Sequence, residues 1–233
     1  KGIKGIKGIK GIKGIKGIKG IEGIEGIEGI KGREGRVDIR EKTGKEGGRG
    51  QLVKIKNSLQ PDSVIPDMMD LLGVNTTYTN KGIVLTKRKE TIKSLNLDFK
   101  NYPDLAQTIA VICAAKGVNL TMTGLDNLRI KETDRVEALW NELNKIGVSV
   151  EVEGKGKIRI ISDFGLNFSD VEFKTYNDHR MAMAFAPLGL LGNITIQNPD
   201  VVEKSYPNFW KDLESVGFSL TLKISDNEKR RNT

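Results

Sequence analysis

Lys-Glu-Thr-Asp-Arg stands at residues 131–135, immediately before an apolar pattern with the period of a helix. The apolar positions that follow recur at spacings of three and four residues: Val136, Leu139, Trp140, Leu143 and Ile146. This period predicts an amphipathic helix whose first turn carries the charges of 131–135. Lys131 and Arg135 oppose the positive end of the helix dipole. Because free backbone N–H groups and extra cations together attract anions, the stretch predicts a site for an anionic ligand.

Two further predicted helix starts also carry cations. Asn-Asp-His-Arg at 177–180 precedes one apolar run, with Asn177 or Asp178 as its N-cap. Glu-Lys-Ser at 203–205 precedes another, with its serine as the expected cap. A fourth start, Asn-Tyr-Pro-Asp at 101–104, carries an acid instead. If these starts converge in space, they form a phosphate-binding cleft with carboxylates that can move protons.

The net charge of +8 on the 233-residue chain comes almost entirely from residues 1–50. That head holds 14 Lys and Arg against 7 Asp and Glu, which leaves a net charge of +1 for the other 183 residues. The basic balance is therefore weak evidence for nucleic-acid binding, and we expect no nucleic-acid partner.

The head repeats Lys-Gly-Ile and then Glu-Gly-Ile, with Gly at every third position to Gly35. It has no proline, which disfavours collagen, and no continuous apolar stretch, which excludes a signal peptide. We predict a disordered low-complexity head at 1–50, a folded domain with one core at 51–223, and a polar tail at 224–233.

Membrane, disulfide and metal classes are also disfavoured. The chain lacks a run of 18 apolar residues, so we expect no membrane span. One cysteine and one histidine offer neither a disulfide framework nor a metal motif, which suits a reducing, cytoplasmic location. Cys113 lies in an apolar helical run and is predicted to be a buried structural thiol.

An internal repeat organises the folded part. Gly147 and Gly217 each end a predicted helix and open a strand, and Gly73 does the same about 74 residues before Gly147. Each unit of about 70 residues predicts helix, strand, loop, helix and strand, with additional strands at 82–86 and 157–161. We count two nearly complete units and the back half of an earlier one, an α/β arrangement.

Four pieces of this sequence, in order and at similar spacing, resemble the 5-enolpyruvylshikimate-3-phosphate synthase family. They are Pro-Asp-Leu-Ala-Gln-Thr at 103–108, Asn-Leu-Arg-Ile-Lys-Glu-Thr-Asp-Arg at 127–135, Tyr-Asn-Asp-His-Arg-Met-Ala-Met-Ala at 176–184, and Glu-Lys-Ser-Tyr-Pro at 203–207. The resemblance implies repeated βαβαββ units with inner helices and outer mixed sheets, the inside-out barrel of enolpyruvyl transferases. It covers roughly 51–223, and nothing in 1–50 resembles the family's N-terminal domain. We therefore expect an incomplete barrel, the C-terminal part of such an enzyme in a truncated copy.

The family transfers the enolpyruvyl group of phosphoenolpyruvate to the 5-hydroxyl of shikimate 3-phosphate and releases phosphate. By resemblance, Asp104 would be the base near the 5-hydroxyl, and Glu132 and Lys204 would handle the methylene proton. Asp178 would cap its helix and fix the arginine that follows. From the residues alone, Asp104 and Glu132 equally suit acids that stabilise a helix N-terminus.

The same resemblance assigns the substrate-binding residues. Arg135 and Arg180 would hold the carboxylate and phosphate of phosphoenolpyruvate, since guanidinium groups match both bidentately. Lys131 and Asn127 would contact the shikimate phosphate, and His179 would orient Glu132 or its neighbours. No cofactor or metal is implied.

Three alternatives remain open from the sequence. They are a non-catalytic remnant that binds phosphate weakly, the related transferase that acts on a UDP-N-acetylglucosamine substrate, and a repeat-based interaction module. We expect a complete protein to be monomeric. An incomplete third unit would leave an open sheet edge and raise self-association.

Overall fold

Strands and helices alternate through most of the chain. The computed structural model describes residues 2–7, 36–39, 61–79, 82–88, 92–162, 165–168 and 170–223. In chain order the strands are β1 (Gly2–Lys7), β2 (Arg36–Ile39), β3 (Val74–Thr79), β4 (Gly82–Lys87), β5 (Ser94–Asp98), β6 (Asn119–Thr123), β7 (Ser149–Glu153), β8 (Lys157–Ile161), β9 (Val171–Phe173), β10 (Ile194–Gln197) and β11 (Ser219–Lys223). The α-helices are α1 (Ile65–Leu71), α2 (Ala106–Ala115), α3 (Arg135–Asn144), α4 (His179–Phe185) and α5 (Phe209–Ser215). Short 3₁₀ helices occupy Pro61–Val64, Pro103–Leu105, Asp126–Ile130, Ala186–Leu190 and Pro199–Lys204.

The chain divides into two compact units, Gly11–Ile92 and the combination of Lys1–Lys10 with Lys93–Thr233. The first unit contains an antiparallel sheet in the order β2-β4-β3, with α1 packed on β3. The predicted strand at 82–86 is confirmed as β4. Gly73 follows α1 with a φ of +85°, the left-handed conformation expected of a glycine that ends a helix.

The second unit contains two copies of the predicted repeat. In the first repeat, β5-α2-β6-α3-β7-β8 forms a sheet in the order β5-β6-β8-β7. β5 and β6 are parallel because α2 carries the chain back between them, and the other pairs are antiparallel. Leu120, Met122, Ile158 and Ile160 are buried on one face of this mixed sheet.

The second repeat, β9-α4-β10-α5-β11, builds the same sheet with one difference. Its order is β9-β10-β1-β11, so a strand from the start of the chain lies where the first repeat has β8. β9 and β10 are parallel, and β1 is antiparallel to both β10 and β11. The two sheets therefore share order and strand direction, although one of them includes a segment distant in sequence.

The most buried helix is α2, which contacts α3 and α4. Ala106, Ala110, Cys113 and Ala114 have no exposed surface, and these small side chains allow the neighbouring helices to approach closely. The prediction of a buried structural thiol at Cys113 is confirmed. Burial raises the pKa of this thiol to about 12, partly offset by the charge of Lys116.

The predicted start of α3 was wrong by four residues. The helix begins at Arg135, and Asp134 is the N-cap, whose carboxylate accepts hydrogen bonds from the backbone N–H groups of Val136 and Glu137. An Asp in extended conformation caps a helix well, so residues 131–133 lie before the first turn. The predicted apolar face was also inaccurate, because Trp140 is 44% exposed whereas Glu142 is buried.

The start of α5 was predicted three residues too early. Ser205 does not cap it, because the backbone N–H groups of Ser205 and Tyr206 both bond to the carbonyl of Val202 and end the preceding 3₁₀ helix. The α-helix begins at Phe209, two residues after Pro207. For α4, the structure selects Asp178 as the N-cap, and the helix gives way to a 3₁₀ helix at the turn containing a proline.

The predicted head at 1–50 is described only at β1 and β2, and the predicted tail at 224–233 lies outside the described residues. The domain boundaries at residues 50 and 223 therefore stay predictions. Among the helices of the described ranges, none combines the length and hydropathy needed to span a membrane.

Candidate active site

Three of the four predicted helix starts meet at the carboxylate of Asp104. This residue lies in the 3₁₀ turn that leads into α2, whereas Arg135 opens α3 and Arg180 is the second residue of α4. Arg135 Nη1 lies 2.9 Å from Asp104 Oδ1, and Arg180 Nη2 lies 2.9 Å from Asp104 Oδ2. Arg180 Nη1 also donates to the Asp104 carbonyl at 3.2 Å. The two guanidinium groups that the sequence singled out therefore face the same carboxylate.

Arg135 joins three carboxylates at once. Its Nε lies 2.6 Å from Asp178 Oδ2 and its Nη2 lies 2.7 Å from Glu132 Oε2, in addition to the bond with Asp104. Asp178 also accepts from the Arg180 backbone N–H at 2.8 Å, as the N-cap of α4, and from Gln107 Nε2 at 3.4 Å. One buried carboxylate thus holds the starts of α3 and α4 together.

These charged residues form what we call the carboxylate–guanidinium cluster: Asp104, Lys131, Glu132, Arg135, Asp178 and Arg180. Its inner pair is hidden, since the side chains of Arg135 and Asp178 are 1% and 0% exposed. The outer acids, Asp104 and Glu132, are 37% and 44% exposed. The cluster therefore has a fixed buried side and a face that solvent or a ligand can reach.

The cluster contains as many cations as acids. Burial disfavours the charged guanidinium of Arg135. The hydrogen bonds that it donates to Asp178 and Asp104 and the charges of Asp178 and Glu132 prevail, so its pKa lies above the ordinary arginine value. Lys131 Nζ is 3.9 Å from Asp104 Oδ1, a looser pair on the exposed face. A buried ion pair of this kind needs every charge compensated, and here each one is.

His179, the one histidine of the chain, lies beside the cluster. Its Nδ1 is 3.9 Å from Asp178 Oδ1 and its side chain is 16% exposed. The sequence predicted that His179 orients Glu132 or its neighbours, and the contact that the structure provides is with the inner acid.

Two predicted site residues are placed apart from these contacts. Asn127 is exposed in the 3₁₀ helix Asp126–Ile130. Lys204 is exposed at the last position of the 3₁₀ helix Pro199–Lys204. Among the hydrogen bonds and ion pairs of the described ranges, neither side chain joins the cluster. The 3₁₀ helix that carries Lys204 packs against α4, the helix that carries Arg180.

Sequence reasoning missed a second buried acid that supports the site. Glu142 has no exposed surface, and its carboxylate accepts from Tyr176 Oη at 2.7 Å, from the Lys174 backbone N–H at 3.0 Å and from Lys145 Nζ at 2.5 Å. Burial and the neighbouring Glu142 raise the pKa of Tyr176. The signal was present, because Glu142 follows Arg135 by seven residues and so lies on the same helix face.

The segment that Glu142 holds leads directly to the cluster. Tyr176 and Asn177 have φ values of +53° and +57°, a left-handed conformation that is unfavourable for residues other than glycine. Asp178 follows them and opens α4. Two residues of α3 therefore hold this strained turn: Glu142 bonds to its beginning at Lys174 and Tyr176, and Arg135 bonds to its end at Asp178.

Comparison with known proteins places this geometry in a family. The family model for EPSP synthase (3-phosphoshikimate 1-carboxyvinyltransferase) matches residues 52–213. The chain is 42% identical over 168 residues to a 3-phosphoshikimate 1-carboxyvinyltransferase from Bacteroides fragilis strain YCH46, covering 72% of this chain and 41% of the relative. An enzyme of the same name from Haemophilus ducreyi is 34% identical over 162 residues, covering 69% and 37%. The chain thus spans about two-fifths of the length of these curated relatives.

Solved structures agree on the fold. An EPSP synthase from Acinetobacter baumannii superposes with a TM-score of 0.58 at 22% identity, covering 71% of this chain and 41% of that one. The enolpyruvyl transferase NikO from Streptomyces tendae gives a TM-score of 0.52 at 16% identity, covering 69% and 38%. The predicted fold of repeated units from an incomplete enolpyruvyl-transferase barrel is confirmed.

Proposed function

The chain belongs to the EPSP synthase family, and from that premise we propose that it supplies one wall of a site that transfers the enolpyruvyl group of phosphoenolpyruvate to the 5-hydroxyl of shikimate 3-phosphate, releasing phosphate. The chain spans 41% of the Bacteroides fragilis relative, so the reaction is proposed for the site that this wall completes with a further domain. The observation that carries the proposal is the meeting of Arg135 and Arg180 at Asp104.

The first proposed step is an exchange of anions on Arg135. Its Nε is held by the fully buried Asp178, whereas Nη1 and Nη2 are held by Asp104 and Glu132, which are 37% and 44% exposed. A carboxylate or phosphate of phosphoenolpyruvate can replace these two outer acids and bind the outer edge of the guanidinium bidentately. Arg180, whose side chain is 26% exposed, can turn to the same ligand.

The exchange would release the two acids for proton transfer. Asp104 would then take the proton of the 5-hydroxyl of shikimate 3-phosphate, while the oxygen of that hydroxyl attacks the enol carbon of phosphoenolpyruvate. Glu132, with Lys204 from the neighbouring 3₁₀ helix, would deliver a proton to the methylene carbon and remove one again as phosphate leaves. Ligand binding and acid–base catalysis are therefore linked, because the two outer acids that pair with Arg135 in this structure are also proposed to move protons.

The remaining predicted residues suit the second substrate. Lys131, 35% exposed beside Asp104, can reach a phosphate once Asp104 no longer pairs with it. Asn127 precedes it on the exposed 3₁₀ helix Asp126–Ile130. We include both in the proposed binding surface for shikimate 3-phosphate. His179 is proposed to hold the inner acid, Asp178, in place.

Charge balance predicts weak binding by this chain alone. The three cations of the cluster already face three acids, so a ligand must displace a carboxylate to bind. Weak binding of phosphate by this chain alone is also what the alternative of a non-catalytic remnant predicts. The alternative of a UDP-aminosugar transferase is not supported, since the family model that matches is that of EPSP synthase. A cytoplasmic location and a monomeric complete protein belong to the proposal, and the buried, free Cys113 is in keeping with the location.

Complementation by a second domain tests the proposal. The N-terminal domain of the Bacteroides fragilis relative is expressed with this chain, and phosphate release from phosphoenolpyruvate is measured with shikimate 3-phosphate present. We expect turnover from the pair and none from either part. Asp104→Asn in this chain should abolish turnover while the two parts still co-purify. A stable complex that binds both substrates and yet releases no phosphate would support the remnant instead.

A further inference from the structure

The sheet of the second repeat has a gap that its own sequence does not fill. β8 lies between β6 and β7 in the first repeat, and the corresponding position between β10 and β11 is held by β1. Ile194 and Ile196 of β10 are each 1% exposed, so this strand belongs to the core. Without a strand in the gap, the facing N–H and C=O groups of β10 and β11 would form two open edges.

The pairing of β1 resolves a mismatch of periods. Gly-Ile-Lys recurs every three residues, whereas one face of a strand recurs every two. Ile3 pairs with Ile196 and Ile6 pairs with Ile194, so three residues along β1 correspond to two along β10. The register shift falls between Lys4 and Ile6, where glycine stands in the sequence.

The register with β11 shows the same adjustment. Ile3 pairs with Leu222 and Lys4 with Thr221, and the shift falls between Lys4 and Lys7. An extra residue in one strand forms a β-bulge, for which glycine is well suited. Within Gly2–Lys7, both isoleucines are therefore in register with residues of β10, and Gly5 lies where the register shifts.

The hexapeptide that fills the gap is not unique. Gly-Ile-Lys-Gly-Ile-Lys begins at residues 2, 5, 8, 11 and 14, which gives five identical copies in the first 19 residues. Any copy offers β10 and β11 the same backbone groups, the same isoleucines and the same glycine. Nothing in the strand sequence itself favours the first copy over the others.

We propose that the gap between β10 and β11 is a strand-binding site for the Gly-Ile-Lys repeat of this chain and that it accepts each of the five copies in turn. The head then shifts through the gap in steps of three residues. Equivalent copies multiply the occupied states, so five copies raise the occupied fraction relative to the empty one by at most about fivefold over a single copy. The strand between β10 and β11 is therefore determined by the composition and period of the repeat and not by one fixed position in the sequence.

Disulfide trapping tests the shift directly. Lys4 pairs with Thr195 in the structure, and Lys16 holds the same place in the copy that begins at residue 14. Cα atoms of directly paired antiparallel residues lie about 4.5–5.5 Å apart, within the reach of a disulfide. The full-length double variants K4C/T195C and K16C/T195C are oxidised at low concentration, and the disulfides of monomeric protein are mapped by mass spectrometry.

We expect disulfides in both variants at comparable yield. A disulfide in K4C/T195C alone would show one fixed register, and no disulfide in either would show that the repeat does not enter the gap; both results overturn the proposal. Lys31 provides the matched control, because its stretch at 29–34 has arginine in place of the second isoleucine and glutamate in place of the second lysine. K31C/T195C should remain reduced, and an equal yield there would mean random encounter and also overturn the proposal.

Hydrogen exchange measures occupancy without new cysteines. Deletion of residues 1–12 leaves one intact copy, and deletion of 1–30 removes every lysine and glutamate triplet. We expect β10 and β11 to keep their protection in the first variant, within about fivefold of the full chain, and to lose it in the second. Protection of Lys157–Ile161, the built-in β8, reports whether each variant is folded. Equal protection of β10 in all three proteins, or its loss on removal of 1–12, contradicts the proposal.

Discussion

The two repeats of the larger unit build the same sheet by different means. In the first repeat, every strand from Ser94 to Ile161 is local in sequence, and β8 follows β7 through a short turn. In the second repeat, β11 ends the local segment and the gap beside it holds β1. A strand encoded next to its partner forms cheaply, whereas a strand from the far end of the chain must first close a very long loop. The comparison shows that the two sheets keep the same strand order even when one strand comes from a distant part of the sequence.

The largest expected effect breaks the connection between the repeats. Arg135 belongs to the first repeat and its inner partner Asp178 to the second. Arg135→Ala leaves that carboxylate buried without a counter-charge, so we expect a loss of about 3–5 kcal/mol in the free energy of unfolding. Urea denaturation measures the loss. Arg180→Ala, at a side chain that is 26% exposed, is the matched control and should lower the free energy of unfolding by about 1 kcal/mol or less. Equal losses in the two variants would show that the buried pair of Arg135 and Asp178 is not what connects the repeats.

A second pair of variants compares the two middle strands. Ile160 of β8 is 1% exposed, and Ile160→Ala should lower the free energy of unfolding by about 2–5 kcal/mol. Ile3→Ala at β1 should have no measurable effect, because intact copies of the repeat remain. Thermal denaturation of both variants checks the contrast. A comparable fall in Tm for Ile3→Ala would show that the second sheet depends on one copy.

A third variant loosens the strained turn before α4. Tyr176→Phe removes the hydrogen bond to the buried Glu142, which is 2.7 Å long. A hydrogen bond to a charged group contributes about 1.5–3 kcal/mol, and we expect a loss of that order. Tyr206→Phe is the control, since Tyr206 also bonds a carboxylate, Asp212, but is exposed. Hydrogen exchange of Glu172–Asp178 should rise in the first variant only; an equal rise in both would separate the turn from Glu142.

The smallest expected effect is a dependence on alkaline pH. Burial and Glu142 raise the pKa of Tyr176 in the folded state. The folded protein therefore keeps its proton where the unfolded chain has lost it, so this stabilisation is complete below the ordinary tyrosine pKa of about 10 and declines above it. The stability difference between wild type and Tyr176→Phe should shrink between pH 8 and pH 11. A difference that grows with pH would reverse the sign of the argument.

Much of the fold was predictable because its signals are local. A glycine that ends a helix and opens a strand marks the junctions at Gly73, Gly147 and Gly217, and all three have positive φ values in the structure. Each of these signals depends on the backbone of a few consecutive residues. The repeat followed from them, whereas the mixed sheets and the inner position of the helices were implied by the resemblance to the family.

The features that were missed depend on competition or on distance. Residues 131–134 suit a helical turn by charge, but the carboxylate of Asp134 caps the helix one residue before Arg135. The spacing of Glu142 from Arg135 indicates the helix face on which it lies, but its partners Tyr176 and Lys174 are more than 30 residues away and could not be predicted. The placement of β1 could not be predicted, because no local pattern indicates which distant edge a strand will join.

The candidate site was predictable in its members and not in its contacts. That Asp104, Arg135 and Arg180 lie close to helix starts follows from motifs in the sequence, although the exact start of α3 does not. That Arg135 would be 1% exposed and bound by three carboxylates does not follow, because the depth of a side chain depends on how the repeats pack. The sequence therefore indicated an anion site, and the structure adds the acids that an anion must displace.

The unequal depth of the carboxylate–guanidinium cluster also decides how dissolved salt acts on it. At physiological ionic strength, charges in water are screened over about 8 Å, and buried charges are screened much less. The pairs that Lys131 and Arg180 make with Asp104 face solvent and weaken as salt is added. The buried pair between Arg135 and Asp178 is weakened much less. Added salt can therefore weaken the exposed ion pairs of the cluster while the buried ion pair between the two repeats persists.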